Sequence, residues 1–410
     1  MIFKYHRRSF SIKQIFLASL KILQIIGANR IVESVPISTN VNKGEDAINL
    51  FLTNLLKYWR EKLLTSNTEF SDILDFLVVK SVQLLALHYG YLNEGGALPP
   101  PFKEPPFNPL EVIGSIGFRE ANTSLSPKVA VICPFAVRTA DAKEEYSSTF
   151  SECVKCLTTI RYLKKIVIVG SNIDSALYLP TSIKEKVDVI ELKRDKGPAH
   201  ARNIGIEIAL SSNCNIIMFM DHDIVITERE GIEKLAKKAY SYQSIMAPLI
   251  KSYGASWFDA FHDFEGTLNG RYISIKTKWP LLLYATTCCL AVPASIFECG
   301  LRFDETFKLA AGEDIDLSLR AVMQGVPIIA INGIVIKHNY GYIGQQDDIH
   351  LFINRYERYG RGNATLLNKY PYYYKLLSAS TERQTVHVFR PIHPIPQAIR
   401  EIYKNILMGR

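Results

Sequence analysis

The chain has 410 residues, of which 48% are apolar and 21% charged; this length favours two domains, and this composition excludes disordered, collagen-like and low-complexity classes. The formal net charge is +8, from 48 Lys and Arg against 40 Asp and Glu. In residues 1–40, Lys4, Arg7, Arg8, Lys13, Lys21 and Arg30 stand against Glu33 alone, so the remainder is nearly balanced and a chain-wide nucleic-acid surface is excluded.

In chain order, Ile12, Ile15, Phe16, Leu20, Leu23 and Ile26 recur at helical spacing and predict a helix over 11–28. Three readings stay open for it: a helix packed on its own protein, a peripheral membrane contact, or a targeting segment. Helical patterns follow at 45–64 and 71–91, the second stopped by Gly95-Gly96. Pro99, Pro100, Pro101, Pro105, Pro106 and Pro109 fit neither a helix interior nor a central strand and read as a stiff linker. From residue 128, short β-branched runs (129–133, 166–169, 187–192, 216–220) alternate with helical patterns (147–163, 198–211). That alternation predicts an α/β fold with a Rossmann-like, mostly parallel sheet covered on both faces. The expected organisation is a helical module over 1–98, a linker over 99–127, an α/β domain over 128–345, and a helical segment and tail over 346–410.

The most apolar stretch, 280–297, is broken by Thr286, Thr287 and Pro293 and does not read as a membrane span. Seven cysteines, an odd number scattered through apolar segments, do not form a disulfide framework. Cys153 and Cys156 make one CxxC without the second pair that a zinc site needs. A reducing cytosol is the compartment these thiols point to, with contact at the inner face of a membrane through residues 11–28 as the open addition.

Parallel sheets bind ligands beyond the carboxyl ends of their strands. There, the apolar run ending at Met220 is followed at once by Asp221-His222-Asp223. Two carboxylates at i and i+2 point to one face of an extended chain, with His222 turned the other way. Such a pair suits Mg²⁺ or Mn²⁺ carrying a substrate diphosphate, or it is a solvated turn. Upstream, residues 193–205 are first basic and then helical, with Lys196 and Gly197-Pro198 at the start, an arrangement that favours an anion or simply initiates a helix. Downstream, Glu313, Asp314 and Asp316 open a helix. That is more acid than capping requires, and mutual repulsion would raise the pKa of one of them toward that of a general base. The run 334–338 ends in His338, a metal ligand or a structural histidine. Arg355 and Arg358 share a helical face as a diphosphate clamp or a solvated surface, with Arg361 beyond.

In this order the pieces resemble the family 2 glycosyltransferases of the GT-A type, over roughly residues 128–363. The strand running into Pro134 is similar to that family's first strand, and Ala201-Arg202-Asn203-x-Gly205 to its helix signature. Asp221-His222-Asp223 resembles its DxD, and 299–305 (CGLRFDE) its GGFDE segment. Glu313-Asp314 resembles the ED motif, and 355–359 (RYERY) a variant of (Q/R)xxRW. The resemblance implies a metal-dependent transferase using Mn²⁺ or Mg²⁺ and a UDP- or GDP-linked sugar. By the same resemblance Asp314 is the catalytic base with Glu313 beside it, and Asp221, Asp223 and His338 hold the metal. Pro134, Asp174, Lys196, Arg202, Asp221, Arg355 and Arg358 are the implied donor contacts.

The chain departs from the family at 169–174 (VGSNID), where an Asp-Asp-Gly-Ser-type turn would hold the nucleobase, which leaves Asp174 as the candidate. It departs again at Tyr359, which stands for Trp, and no membrane spans follow. This favours transfer of one sugar to a discrete acceptor, and the resemblance implies that transfer proceeds with inversion. The acceptor stays open among glycan, lipid-linked group, small molecule and peptide, as does a homo-oligomer. Two rival readings remain: a non-catalytic binder of the same fold, and a sugar nucleotidyltransferase, whose Gly-rich first loop is missing from 133–138 (CPFAVR). Trp257, Phe258, Phe261 and Phe264 form either an aromatic acceptor wall or a core helix.

Overall fold

The computed structural model describes residues 2–5, 8–34, 70–96, 103–114, 126–136, 143–171, 185–274, 279–383, 389 and 391–407. The helix expected over 45–64 and the candidate Asp174 lie outside them. The chain opens with an antiparallel hairpin, β1 (Ile2–Tyr5) and β2 (Arg8–Ser11). Helices α1 (Ile12–Ile25), α2 (Asn29–Ser34), α3 (Phe70–Asn93) and α4 (Pro109–Gly114) follow.

The α/β part starts with β3 (Val129–Ala136), α5 (Lys143–Thr158), β4 (Leu163–Ser171) and β5 (Val187–Glu191). It continues with α6 (Pro198–Ser211), β6 (Ile216–Met220), β7 (Ile224–Val225), α7 (Arg229–Tyr242) and β8 (Ile245–Ser252). Next come α8 (Trp257–Glu265), β9 (Arg271–Ser274), β10 (Leu281–Tyr284), β11 (Cys289–Pro293) and α9 (Ala294–Glu298). The last elements are α10 (Glu313–Met323), β12 (Ile328–His338), α11 (Asp348–Lys369), α12 (Tyr373–Ala379), β13 (Thr381–Glu382) and α13 (Gln397–Leu407).

One sheet runs in the order β13-β9-β10-β12-β8-β11-β6-β3-β4-β5, with β7 beside β12. β3 is parallel to β4 and β6, β4 to β5, and β8 to β12, while β11 is antiparallel to both β6 and β8. From β5 to β12, then, every strand but β11 runs the same way. The ends of β3, β4, β6 and β12 therefore emerge at one edge. Every residue of β6 is buried, as its unbroken Ile-Ile-Met-Phe-Met run requires of a strand covered on both faces. Helix α6 packs on β3 and β4. It comes so close that a Cβ on Gly205 would stand 2.4 Å from the Ile132 side chain.

A second core lies beside the sheet and is built from distant parts of the chain. Ile15, Ile22 and Leu23 of α1 and Phe76, Val79 and Val82 of α3 meet α8, α11, Phe389, and Ile399 and Tyr403 of α13. The apolar face of α1 is thus covered by the chain's own helices, which is the first of the three readings for 11–28. No described helix is long and apolar enough to cross a membrane. Trp257, Phe258, Phe261 and Phe264 are fully buried in this core, which corrects the acceptor-wall reading: α8 is a core helix. Ser256 starts it through a capping box, accepting from Asp259 N at 3.1 Å while Asp259 accepts from Ser256 N at 3.0 Å.

Helices α3 and α11 touch backbone to backbone. A Cβ on Gly90 would lie 2.0 Å from Glu357 O, and one on Gly360 would lie 2.0 Å from Leu87 O. Replacing a helical Gly by Ala ordinarily gains about 1 kcal/mol. Here the overlap with a carbonyl forces the helices apart, and overpacking of this kind costs about 1–3 kcal/mol or more. Gly360→Val is therefore expected to lower the thermal midpoint in calorimetry, and an unchanged or raised midpoint would rule out the close crossing.

Candidate active site

A cleft of about 1000 Å³ opens where the parallel strands end. Pro134 and Phe135 line it from β3, Val169 and Gly170 from β4, Asp221 to Asp223 from the turn after β6, and His338 from the end of β12. Glu313 and Asp314 enter at the start of α10, and Arg355, Arg358 and Tyr359 from α11. Residues separated by over two hundred positions meet because their strands run one way through one sheet.

Asp221, Asp223 and His338 each offer a ligand atom within 4.8 Å of the others. His338 Nε2 stands 3.3 Å from Asp223 Oδ1. Burial opposes ionisation of Asp223, but His338, His222 and Arg355 outweigh it and hold its pKa below the ordinary value. Burial lowers the pKa of His338 by more than Asp223 raises it. Both groups thus present lone pairs, the state a divalent cation needs. Asp223 Oδ1 and His338 Nδ1 are buried without a hydrogen-bond partner among the described residues, and two carboxylates with an imidazole form a donor set for a divalent cation. The residues fit the metal. The His222 ring turns away, edge-on to Phe135 at 5.3 Å.

Arg202 is 3% exposed and joins the two acidic motifs: Nη2 donates to Asp221 Oδ1 at 2.9 Å and Nη1 to Glu313 Oε1 at 2.8 Å. Burial pulls its pKa down, but these carboxylates prevail and hold it above the ordinary value. Asn203 beside it fastens the 299–305 segment, accepting from Phe303 N at 2.9 Å and donating to Phe303 O at 3.0 Å. The Arg-Asn-x-Gly run is therefore a structural hinge pin: Arg202 ties charges, Asn203 ties a loop, and Gly205 lets the helix touch β3.

Asp314 is half-buried, and its Oδ1 accepts from Ile315 N at 2.8 Å. Burial first, and then Glu313, push its pKa up to about 7 against the opposing pull of Arg202. Glu313 is placed differently. It is 3% exposed, with one oxygen committed to Arg202.

Arg355 and Arg358 also differ. Arg355 is buried, donates to Tyr340 O at 3.1 Å and Tyr342 Oη at 3.4 Å, and lies over the Tyr340 ring at 4.8 Å. Tyr340 in turn stands 4.5 Å from the His338 ring. Arg358 is half-buried on the cleft wall. Lys196 is exposed and does not line the cleft; the chain turns at Gly197, whose N–H donates to Asp195 Oδ1 at 2.8 Å, and Asp195 faces the cleft instead. Sequence reasoning misses Asp195, the tyrosines around Arg355, and buried His262, whose Nε2 is 2.7 Å from Tyr342 Oη. It also misses Arg30, Lys80, Gln83 and Leu87, N-terminal residues that line the same cleft. No motif marks them.

The sequence model described as Glycosyl transferase family 2 matches residues 144–301. Residues 144–301 belong to glycosyl transferase family 2. The surrounding sheet is open and, from β5 to β12, mostly parallel. No curated protein matches the chain. Among solved structures, TarS 1–349 of S. aureus is 14% identical over 56% of this chain and 64% of its own, with a TM-score of 0.37. GalNAc-T7 with UDP, GalNAc and Mn²⁺ is 14% identical over 61% and 56%, with a TM-score of 0.37. The mannosyltransferase PcManGT of Pyrobaculum calidifontis, with GDP-Man and Mn²⁺, is 15% identical over 74% and 84%, again at 0.37. The first two alignments span less than two thirds of those chains, and nothing about donor, acceptor or metal follows from similarity at this level.

Removing one member of a buried ion pair costs about 3–5 kcal/mol, because the partner is left charged and dry. Arg202→Met is expected to destabilise by that order in thermal melting. Adding Glu313→Leu should recover a large part of it, and a double variant no more stable than the single one would remove the charge-bridging account.

Proposed function

We propose that the protein is a metal-dependent, inverting, non-processive glycosyltransferase that moves one hexosyl group from a UDP- or GDP-linked donor to an acceptor hydroxyl. The observation that carries this reading is that the Asp221, Asp223, His338 cluster and Asp314 line one cleft in a chain whose residues 144–301 belong to the family. Pro134 and the end of β4 receive the nucleoside side of the donor, with Asp174 as the candidate contact to the base. Asp221, Asp223 and His338 hold Mn²⁺ or Mg²⁺, which when bound offsets charge on the departing diphosphate. Arg358 contributes further positive charge at the leaving group, and Arg355 positions His338 through Tyr340. Asp314 takes the proton of the acceptor hydroxyl while that oxygen bonds to the anomeric carbon. The bond from that carbon to the diphosphate breaks on the opposite side, and attack from the face away from the leaving group inverts the centre. Glu313 acts as a positioning residue: it anchors Arg202 and raises the basicity of its neighbour.

General-base catalysis contributes roughly 10²- to 10⁴-fold, so Asp314→Asn is expected to lower kcat by that order while donor affinity in calorimetry stays the same. Turnover that survives intact would exclude Asp314 from the mechanism. Asp314 accepts a proton only when ionised, and its pKa is raised to about 7. The profile of kcat/KM should therefore rise with pH through about 7 and level off above it; a profile flat from pH 5.5 to 8.5 contradicts the assignment.

Stabilisation by ligand grows with its excess over Kd. A sugar nucleotide with Mn²⁺ is expected to raise the melting temperature of the wild-type protein. Asp223→Asn should lose the metal-dependent part of that shift. Absence of any shift, hydrolysis or transfer across UDP- and GDP-linked donors with Mn²⁺ would favour the non-catalytic binder.

A further inference from the structure

One wall of the cleft is a row of three side chains on strands outside the acidic motifs. Arg271 opens β9, Tyr284 ends β10 and Glu382 ends β13, and all three line the cleft. Register sets them side by side: Tyr284 and Glu382 each stand opposite Arg271, one on either flank of β9. Residues paired in this way project from one face of a sheet. Helix α10 fixes the row beside Asp314. Ser318 follows Asp314 by one turn on the same helical face. Its Oγ accepts from Ala285 N at 3.3 Å and donates to Ala285 O at 3.2 Å, which holds the residue next to Tyr284.

The row is open to a ligand. Arg271 Nη2 donates to Glu382 Oε1 at 2.9 Å and Nη1 to Leu377 O at 2.8 Å. Even so, the Arg271 and Glu382 side chains stay 21% and 22% exposed. Tyr284 is half-buried, and burial keeps its phenol protonated against the pull of Arg271. A guanidinium only donates, so the Tyr284 oxygen accepts from it and the O–H is left to donate. The chief charges acting on that hydroxyl are Arg271, Glu382 and Asp314, one positive and two negative. An anionic acceptor would meet no surplus of positive charge here. A neutral ring bearing hydroxyls would find donors and acceptors in one row, next to the carboxylate that takes its proton.

We propose that this row is the acceptor subsite, that it takes an uncharged saccharide, and that Tyr284 and Glu382 are specificity-determining residues for it. The inference rests on the glycosyl-transfer reading and extends it to the acceptor. Helix α10 then supports both the base and the grip on the group that the base deprotonates.

The test uses the full chain, Mn²⁺ and labelled UDP- and GDP-linked sugars on a printed array of neutral and uronic-acid-containing oligosaccharides. Label on neutral glycans is expected. On the best of them Tyr284→Phe, which keeps the ring and removes one hydroxyl, should raise the acceptor KM by about tenfold. Donor Kd should stay within about twofold of wild type and the melting temperature should not move, a split that a merely structural role would not give. Glu382→Gln leaves Arg271 without this carboxylate and should shift labelling toward uronic-acid-containing glycans. Wild-type acceptor KM in Tyr284→Phe together with an unshifted glycan preference in Glu382→Gln overturns the subsite. Wild-type label confined to acidic glycans, or donor hydrolysis with no glycan labelled, overturns the acceptor class. A protein that neither binds nor hydrolyses any donor overturns the transferase reading itself, and the two failures are thereby told apart.

Discussion

The site is organised around one buried cation. Four carboxylates, Asp221, Asp223, Glu313 and Asp314, line a single cleft, and repulsion among them would drive the end of β6 away from the start of α10. Arg202 opposes this by bonding one oxygen of Asp221 and one of Glu313 from a position that is almost fully buried. At low dielectric such a bridge is strong, but it is costly to assemble, because three charged groups lose their water. It is better understood as a device that fixes two loops in register than as a source of net stability. Its placement is inherited from α6: Gly205 lets that helix settle on β3, and Asn203 secures the loop carrying Phe303, over whose ring Arg202 lies at 5.4 Å.

The same bridge divides the labour between two adjacent acids. Glu313 faces Arg202 and is spent on it. Asp314, one residue on, is turned from that partner and pays for burial beside a neighbouring carboxylate with a raised pKa. A helix start would ordinarily stabilise the ionised form of both. Position relative to one guanidinium therefore decides which acid is bound as scaffold and which has its pKa raised toward neutrality, where a general base works best.

Much of this is legible in the sequence, and the reason is local. Strand and helix alternation from residue 128 follows from β-branched runs of strand length, and a DxD directly after an apolar run has to emerge at the edge of a parallel sheet. Asp221, Asp223 and His338 are expected together and lie together. What local pattern does not encode is partnership. Arg355 and Arg358, three positions apart on one helical face, read as a diphosphate clamp, yet Arg355 is enclosed by Tyr340 and Tyr342, whose approach depends on how α11 packs. Lys196 reads as a phosphate contact until the turn at Gly197 directs it outward. The aromatic run 257–264 has the same spacing whether it walls a cleft or fills a core, and only contacts with α1, α3 and α13 decide for the core.

Those contacts also bear on the reaction. Helix α11 carries Arg355, Arg358 and Tyr359 into the cleft, so its position sets the geometry of that wall. That position is fixed less by the sheet than by α3, against which α11 runs backbone to backbone at Gly90 and Gly360. Glycine at both points removes the adjustable side chains that usually cushion a helix crossing, so the two helices have one permitted separation. A displacement of α3 would be transmitted through rigid backbone to Arg355, then by way of Tyr340 to His338. The helices before the proline run are thus joined to the metal candidates by a continuous chain of contacts.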